Sequence, residues 1–144
     1  MHVYSWKAGY GYLHMSEHIA LILTFSFSLF ITCSLVFVIS GAYLLLFKIK
    51  QANQLFKHPY LREKNFNQFT IGIRLTITLD YFLRTMFSRT NLWFARNANQ
   101  LLSHVDPKEI PMSVRWPIVG FWGSSMIGLV AMVTLWASLI LGSK

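Results

Sequence analysis

Residues 19–47 read IALILTFSFSLFITCSLVFVISGAYLLLF, a run of 29 residues without a charged side chain. A second uncharged run, WPIVGFWGSSMIGLVAMVTLWASLIL, covers residues 116–141. An α-helix needs about 20 apolar residues to cross the hydrocarbon core of a bilayer, so each run is long enough for one crossing. The sequence therefore predicts an all-α integral membrane protein with two transmembrane helices.

The composition agrees with a lipid environment. Hydrophobic residues make up 54% of the chain and charged residues 12%, whereas soluble domains carry about 25% charged residues. The first run is also longer than the roughly 7–15 apolar residues of a cleaved signal peptide, so we interpret it as a membrane anchor. Cys33 is the only cysteine, which excludes an intramolecular disulfide and a cysteine metal cluster.

The distribution of basic residues predicts the orientation. Residues 48–115 contain 11 of the 13 Lys and Arg residues and four of the five acids, a net charge of +7. Because basic residues next to spans remain in the cytoplasm, we expect this segment to be cytoplasmic. Residues 1–18 and 142–144 are then non-cytoplasmic, and the expected location is a bacterial inner membrane.

The basic segment is predicted to meet lipid rather than nucleic acid, because Phe, Leu and Ile alternate with its charges. The side chains expected to contact lipid headgroups are those of Lys48, Lys50, Arg74, Arg84, Arg89 and Arg115.

Residues 65–83 read NFNQFTIGIRLTITLDYFL and fit either a strand or a helix. The apolar period continues to Phe87, where the strand alternation has ended, so a helix is favoured, with Asp80 and Arg84 paired four residues apart. A second short helix is expected over residues 91–102. Both helices would be amphipathic and would lie in the membrane interface.

Small side chains recur at four-residue spacing in both apolar runs. Gly120, Ser124 and Gly128 form such a stripe in the second run. A stripe of hydroxyl side chains in the first run contains Thr24, Ser28, Thr32 and, one turn skipped, Ser40. Small residues let membrane helices approach closely. The two stripes either meet each other within one chain or meet a partner subunit, and the sequence leaves both open.

His14 and His18 stand four residues apart before the first run, so on a helix both imidazoles face the same way. This spacing could hold a metal ion or flank a haem. Two histidines lack the further ligands of a metal site, and the second run contains no histidine. Anchoring at the interface is therefore the favoured interpretation, and no cofactor is predicted.

The sequence contains no motif for hydrolytic or transfer chemistry, and neither apolar run contains Asp, Glu, His, Lys or Arg. Packing surfaces without chemistry predict a non-catalytic accessory or assembly subunit of a bacterial inner-membrane complex, with membrane lipid and other integral membrane subunits as partners. In this prediction the spans pack against the partner through the face of Gly120, Ser124 and Gly128. A self-assembling homo-oligomer, channel-like or holin-like, is the alternative. A subunit that handles metal or haem is a third interpretation.

Val114 and Arg115 lead into Gly-Ser-Ser-Met-Ile-Gly-Leu-Val at residues 123–130. This stretch resembles the final segment of the bacterial universal stress protein B family. The layout is similar as well: an early span, a basic amphipathic cytoplasmic stretch and a late span. The resemblance implies that layout and no particular role.

Overall fold

A computed structural model describes the backbone of residues 4–142 and the side chains of residues 17–142. Its α-helices are α1 (Tyr4–Tyr43), α2 (Ile49–Phe56), α3 (Ile71–Phe87), α4 (Trp93–Leu101) and α5 (Met112–Gly142). A π-helical turn, Leu44–Lys48, joins α1 to α2, and two 3₁₀ turns cover Pro59–Arg62 and Phe66–Gln68. Residues 4–142 contain no strand, so the predicted all-α class is confirmed, and α3 is the helix favoured over a strand.

Two helical stretches, Glu17–Phe56 and Met112–Gly142, are long and apolar enough to cross a membrane, with mean hydropathies of 2.4 and 2.0 in their most apolar windows. Both extend beyond the uncharged runs. The chain divides into two compact units, Met1–Leu35 with Ser125–Lys144, and Val36–Ser124.

In the first unit, α1 and α5 run antiparallel and meet through small side chains. Ser26 and Cys33, seven residues apart, are buried on α1. A Cβ added to Gly128 would lie 3.4 Å from the Cβ of Cys33, and one added to Gly142 would lie 3.3 Å from Ile19. Seven-residue spacing of buried positions is typical of helices that pack side by side with a small crossing angle.

In the second unit the same two helices approach still more closely. A Cβ on Gly120 would lie 3.1 Å from the Cβ of Ser40, and one on Gly41 would lie 2.7 Å from a ring carbon of Phe121. The Phe121 ring stacks on Phe37 with centroids 4.6 Å apart. Glycine is needed here because any side chain would collide with the facing helix.

The second unit also contains a small helical domain with its own hydrophobic core. The rings of Phe56 in α2 and Tyr81 in α3 stack with centroids 4.2 Å apart. Phe87 and Phe94 pack edge to face between α3 and α4, with centroids 5.5 Å apart. Further buried members of this core include Leu44, Ile49, Ala52, Ile77, Ala95, Ala98, Leu102, Val105, Val114 and Ile118.

The π turn allows α1 and α2 to bury one continuous face. Buried positions are spaced by four residues from Ser40 to Leu44, and by five from Leu44 to Ile49. Beyond the turn, Ala52 and Phe56 resume the spacing of three and four. Without the wider turn an α-helix would direct Lys48 and Gln51 inward instead, so the turn keeps polar side chains out of the core.

Candidate functional site

A buried polar contact in the helical domain joins the side chains of His58 and Asp80. Nε2 of His58 lies 3.1 Å from Oδ2 of Asp80, and the two side chains are 0% and 10% exposed. The backbone N–H of Tyr60 donates to Nδ1 of His58 at 3.3 Å. Because Nδ1 accepts a hydrogen bond, the ring proton resides on Nε2, which donates to the Asp80 carboxylate.

Tyr81 lies beside this pair and extends the polar cluster to α2. Its hydroxyl donates to Oδ1 of Asn53 at 3.0 Å. Burial of the phenol, and secondly the nearby Asp80 carboxylate, raise the pKa of Tyr81 above its ordinary value. Tyr81 is therefore a neutral hydrogen-bond donor at physiological pH.

The cluster links α3 to α2 and to the turn that follows α2. Its histidine is fully buried. Among residues 17–142, no group of three or more His, Cys, Asp or Glu side chains could hold a metal ion. Sequence analysis missed the cluster because His58 and Asp80 are 22 residues apart, although a single acid in an apolar helix is a signal that a partner is needed.

Two of the predicted headgroup residues bind backbone carbonyls of the domain. Arg84 donates from Nη2 to Val105 at 2.8 Å and to Ser103 at 3.2 Å. Arg74 donates from Nε to the carbonyl of Phe69 at 2.9 Å and from Nη2 to that of Asn67. The sequence predicts that Asp80 pairs with Arg84, but in the structure Asp80 pairs with His58. Arg84 instead binds backbone carbonyls that follow α4.

The other predicted headgroup residues differ in exposure. Lys50 and Arg89 are exposed, and Arg115 is half-buried. Lys48 is also half-buried and donates to the side chain of Gln51 at 3.2 Å. Lys50 and Arg89 are thus the two whose charges are most open to an external ligand.

The predicted packing residues fall into two groups. Gly120, Ser124 and Gly128 lie on the α5 face that meets α1 within the chain, with Ser124 buried. The hydroxyl stripe Thr24, Ser28 and Thr32 is exposed. The hydroxyls of Thr24 and Thr32 donate to the carbonyls of Ala20 and Ser28, four residues earlier, each at 2.9 Å. The face of α1 that meets α5 contains Ser26, Cys33 and Ser40, of which Ser40 is the last residue of the predicted stripe.

The histidine pair is described only in part. His14 lies outside the residues whose side chains the structure describes, and His18 is exposed near the start of the apolar part of α1. The metal or haem interpretation of this pair stays a prediction.

Most of the apolar helix surface is left uncovered. In the most apolar 18-residue windows, 11% of Glu17–Phe56 and 17% of Met112–Gly142 are buried. Large side chains on both helices face outward, for example Phe25 at 70%, Leu129 at 61% and Trp136 at 62% exposure. Such a surface fits hydrocarbon or other apolar helices and is unsuited to water.

Comparisons of the chain with protein-family models, with curated proteins and with solved structures give no significant match.

Proposed function

We propose that this chain is a non-catalytic accessory or assembly subunit of a bacterial inner-membrane protein complex. The observation that carries the proposal is the uncovered apolar surface of α1 and α5, which bury 11% and 17% of their most apolar windows. Two helices that cover so little of each other offer lateral faces to further membrane helices. The enclosure of His58 and Asp80 supports a role without catalysis.

The hydroxyl stripe Thr24–Ser28–Thr32 is the partner-binding face in this proposal. The glycine face of α5 packs against α1 within the chain, whereas the stripe is exposed. Its side chains are small, and two of its hydroxyls are already satisfied by their own helix. Another backbone can therefore approach the stripe without leaving the hydroxyls of Thr24 and Thr32 unpaired.

The proposal places residues 48–115 on the cytoplasmic side and both flanking ends on the other side. The exposed faces of α3 and α4 would lie in the interface. Trp93 is 86% exposed, and the exposed Arg89 and Arg96 lie four and three residues from it. Tryptophan flanked by arginine suits the headgroup region, where the indole ring and the charges are both accommodated.

The test is gentle-detergent purification of tagged protein from its native membrane, followed by native mass measurement and identification of bound proteins. A stoichiometric larger partner is expected, and Thr32→Leu should reduce its recovery. Thr134→Leu is the matched control, because Thr134 is also exposed and also donates to the carbonyl four residues earlier, at 2.9 Å. A single species at a multiple of 16.7 kDa would contradict the accessory role and identify a homo-oligomer.

A further inference from the structure

An amphipathic groove of about 790 Å³ runs along the π turn and the start of α2. The 3₁₀ turn Phe66–Gln68 and the preceding Asn65 form its opposite side. The volume lies within the roughly 300–1,000 Å³ of small-molecule sites. The groove lies wholly within the second unit.

One wall of the groove is apolar. Leu45, Leu46 and Phe47 follow one another in the chain and are 46%, 75% and 70% exposed. The wider turn of an i→i+5 helix separates successive side chains by smaller angles than an α-helix does. The π turn therefore gathers three consecutive apolar side chains on one side, where they can line an acyl chain.

The rest of the lining is rich in carboxamides and contains one cation. Gln54 and the exposed Lys50 line the groove from α2, and Asn65 and Asn67 line it from the opposite side. No acid lines the groove, whose residues all belong to the described part of the chain. The lining thus offers one positive charge and several amide groups that donate or accept hydrogen bonds.

We propose that the groove binds an anionic glycerophospholipid whose headgroup carries hydroxyls and no ammonium, such as phosphatidylglycerol. Lys50 would hold the phosphodiester, the carboxamides would bond to the headgroup hydroxyls, and an acyl chain would lie along Leu46 and Phe47. An ammonium headgroup is disfavoured, because the lining offers no carboxylate to it. The site rests on the membrane placement proposed above and is independent of the accessory role.

The experiment is native mass spectrometry of the detergent-purified full chain, titrated with dioleoyl lipids that share acyl chains and differ in headgroup. Phosphatidylglycerol is expected to form a one-to-one adduct at concentrations where phosphatidylcholine and phosphatidylethanolamine do not. Lys50→Gln should weaken the adduct about tenfold, since a hydrogen bond to a charged group is worth at least a factor of ten. Lys108→Gln, an identical charge change at an exposed turn residue, should leave it unchanged.

Several outcomes would overturn the lipid site. They are equal weakening by Lys50→Gln and Lys108→Gln, equal binding of all three lipids, or tighter binding of the ethanolamine lipid. Glycerophosphoglycerol, the same headgroup without acyl chains, separates a lipid from a soluble phosphodiester, and equal binding of this compound would overturn the apolar half of the site. Retention of phosphatidylglycerol by a chain that purifies without partners would support the lipid site while contradicting the accessory role.

Discussion

Adding a single methyl group at Gly41 tests the close packing of α1 against α5. A Cβ at this position would lie 2.7 and 2.8 Å from two ring carbons of Phe121, whereas carbon atoms in contact prefer about 3.5–4.0 Å. The facing groups would have to separate by about 1 Å. The Phe121 ring cannot turn away freely, because it is stacked on Phe37 and packed edge to face on Trp122.

The expected magnitude follows from two opposing effects. Overpacking of this kind costs about 1–3 kcal/mol, while replacing glycine by alanine inside a helix gains up to about 1 kcal/mol. Gly41→Ala should therefore destabilise the fold by about 1 kcal/mol. Gly123→Ala is the matched control, since its Cβ would meet nothing within 4 Å. The two variants should differ by about 2 kcal/mol, which is the overpacking cost alone.

The assay is equilibrium unfolding in mixed micelles by titration with sodium dodecyl sulfate, followed by the fluorescence of the five tryptophans. If Gly41→Ala proves as stable as Gly123→Ala, the close approach of the two helices is refuted. The double variant Gly41→Ala/Phe121→Leu should recover part of the loss, because the two changes act on one contact and are not additive.

The other predictions concern the helical domain and use the same unfolding assay. Asp80→Ala should cost about 1–3 kcal/mol because it leaves the buried Nε2–H of His58 without an acceptor. Asp80→Asn should cost clearly less because its amide oxygen still accepts from Nε2, and equal losses would contradict the assigned tautomer. Arg84→Lys should cost about 1–3 kcal/mol by removing the fork that binds two carbonyls, whereas Arg89→Lys, at an exposed position, should change stability by less than about 0.5 kcal/mol. Tyr81→Phe should cost about 1 kcal/mol. Because burial raises the pKa of Tyr81, its contribution to stability is complete below the ordinary tyrosine value of about 10 and is lost above it. A wild-type protein whose stability above pH 10 falls no faster than that of Tyr81→Phe would contradict this.

The helical class could be read from the sequence, and so could the positions of α3 and α4. Apolar runs that exceed a bilayer crossing, and a helical period that outlasts strand alternation, are local patterns. The α2 helix was not predicted, because its buried face is out of phase with that of α1 until the π turn is counted. The roles of Arg74 and Arg84 depend on carbonyls in loops up to 21 residues away, and no local pattern reports such contacts.

The glycine face of α5 also shows that a local pattern does not identify the residues it will contact. Its spacing predicts a surface for close approach, and Gly120 and Gly128 lie next to the small side chains of Ser40 and Cys33. The facing residues, Ser40 and Cys33, lie seven residues apart on α1, and of the two only Ser40 belongs to the predicted stripe of hydroxyls. Thr24 and Thr32 satisfy their hydroxyls along their own helix, so spacing alone could not decide which face of α1 is inward.

The π turn at Leu44–Lys48 contains one residue more than an α-helix needs to bring the next side chain after Leu44 to the buried face. In most helices, deleting a residue rotates everything beyond it by about 100° and misplaces the buried side chains. Here deletion of Lys48 would return the helix to regular α geometry, with Ile49 and Ala52 still inward. It would, however, disperse Leu45, Leu46 and Phe47 around the axis. Shortening the chain by one residue would therefore spare the core and change only the outer surface, so that folding and surface chemistry can be altered separately at this one place.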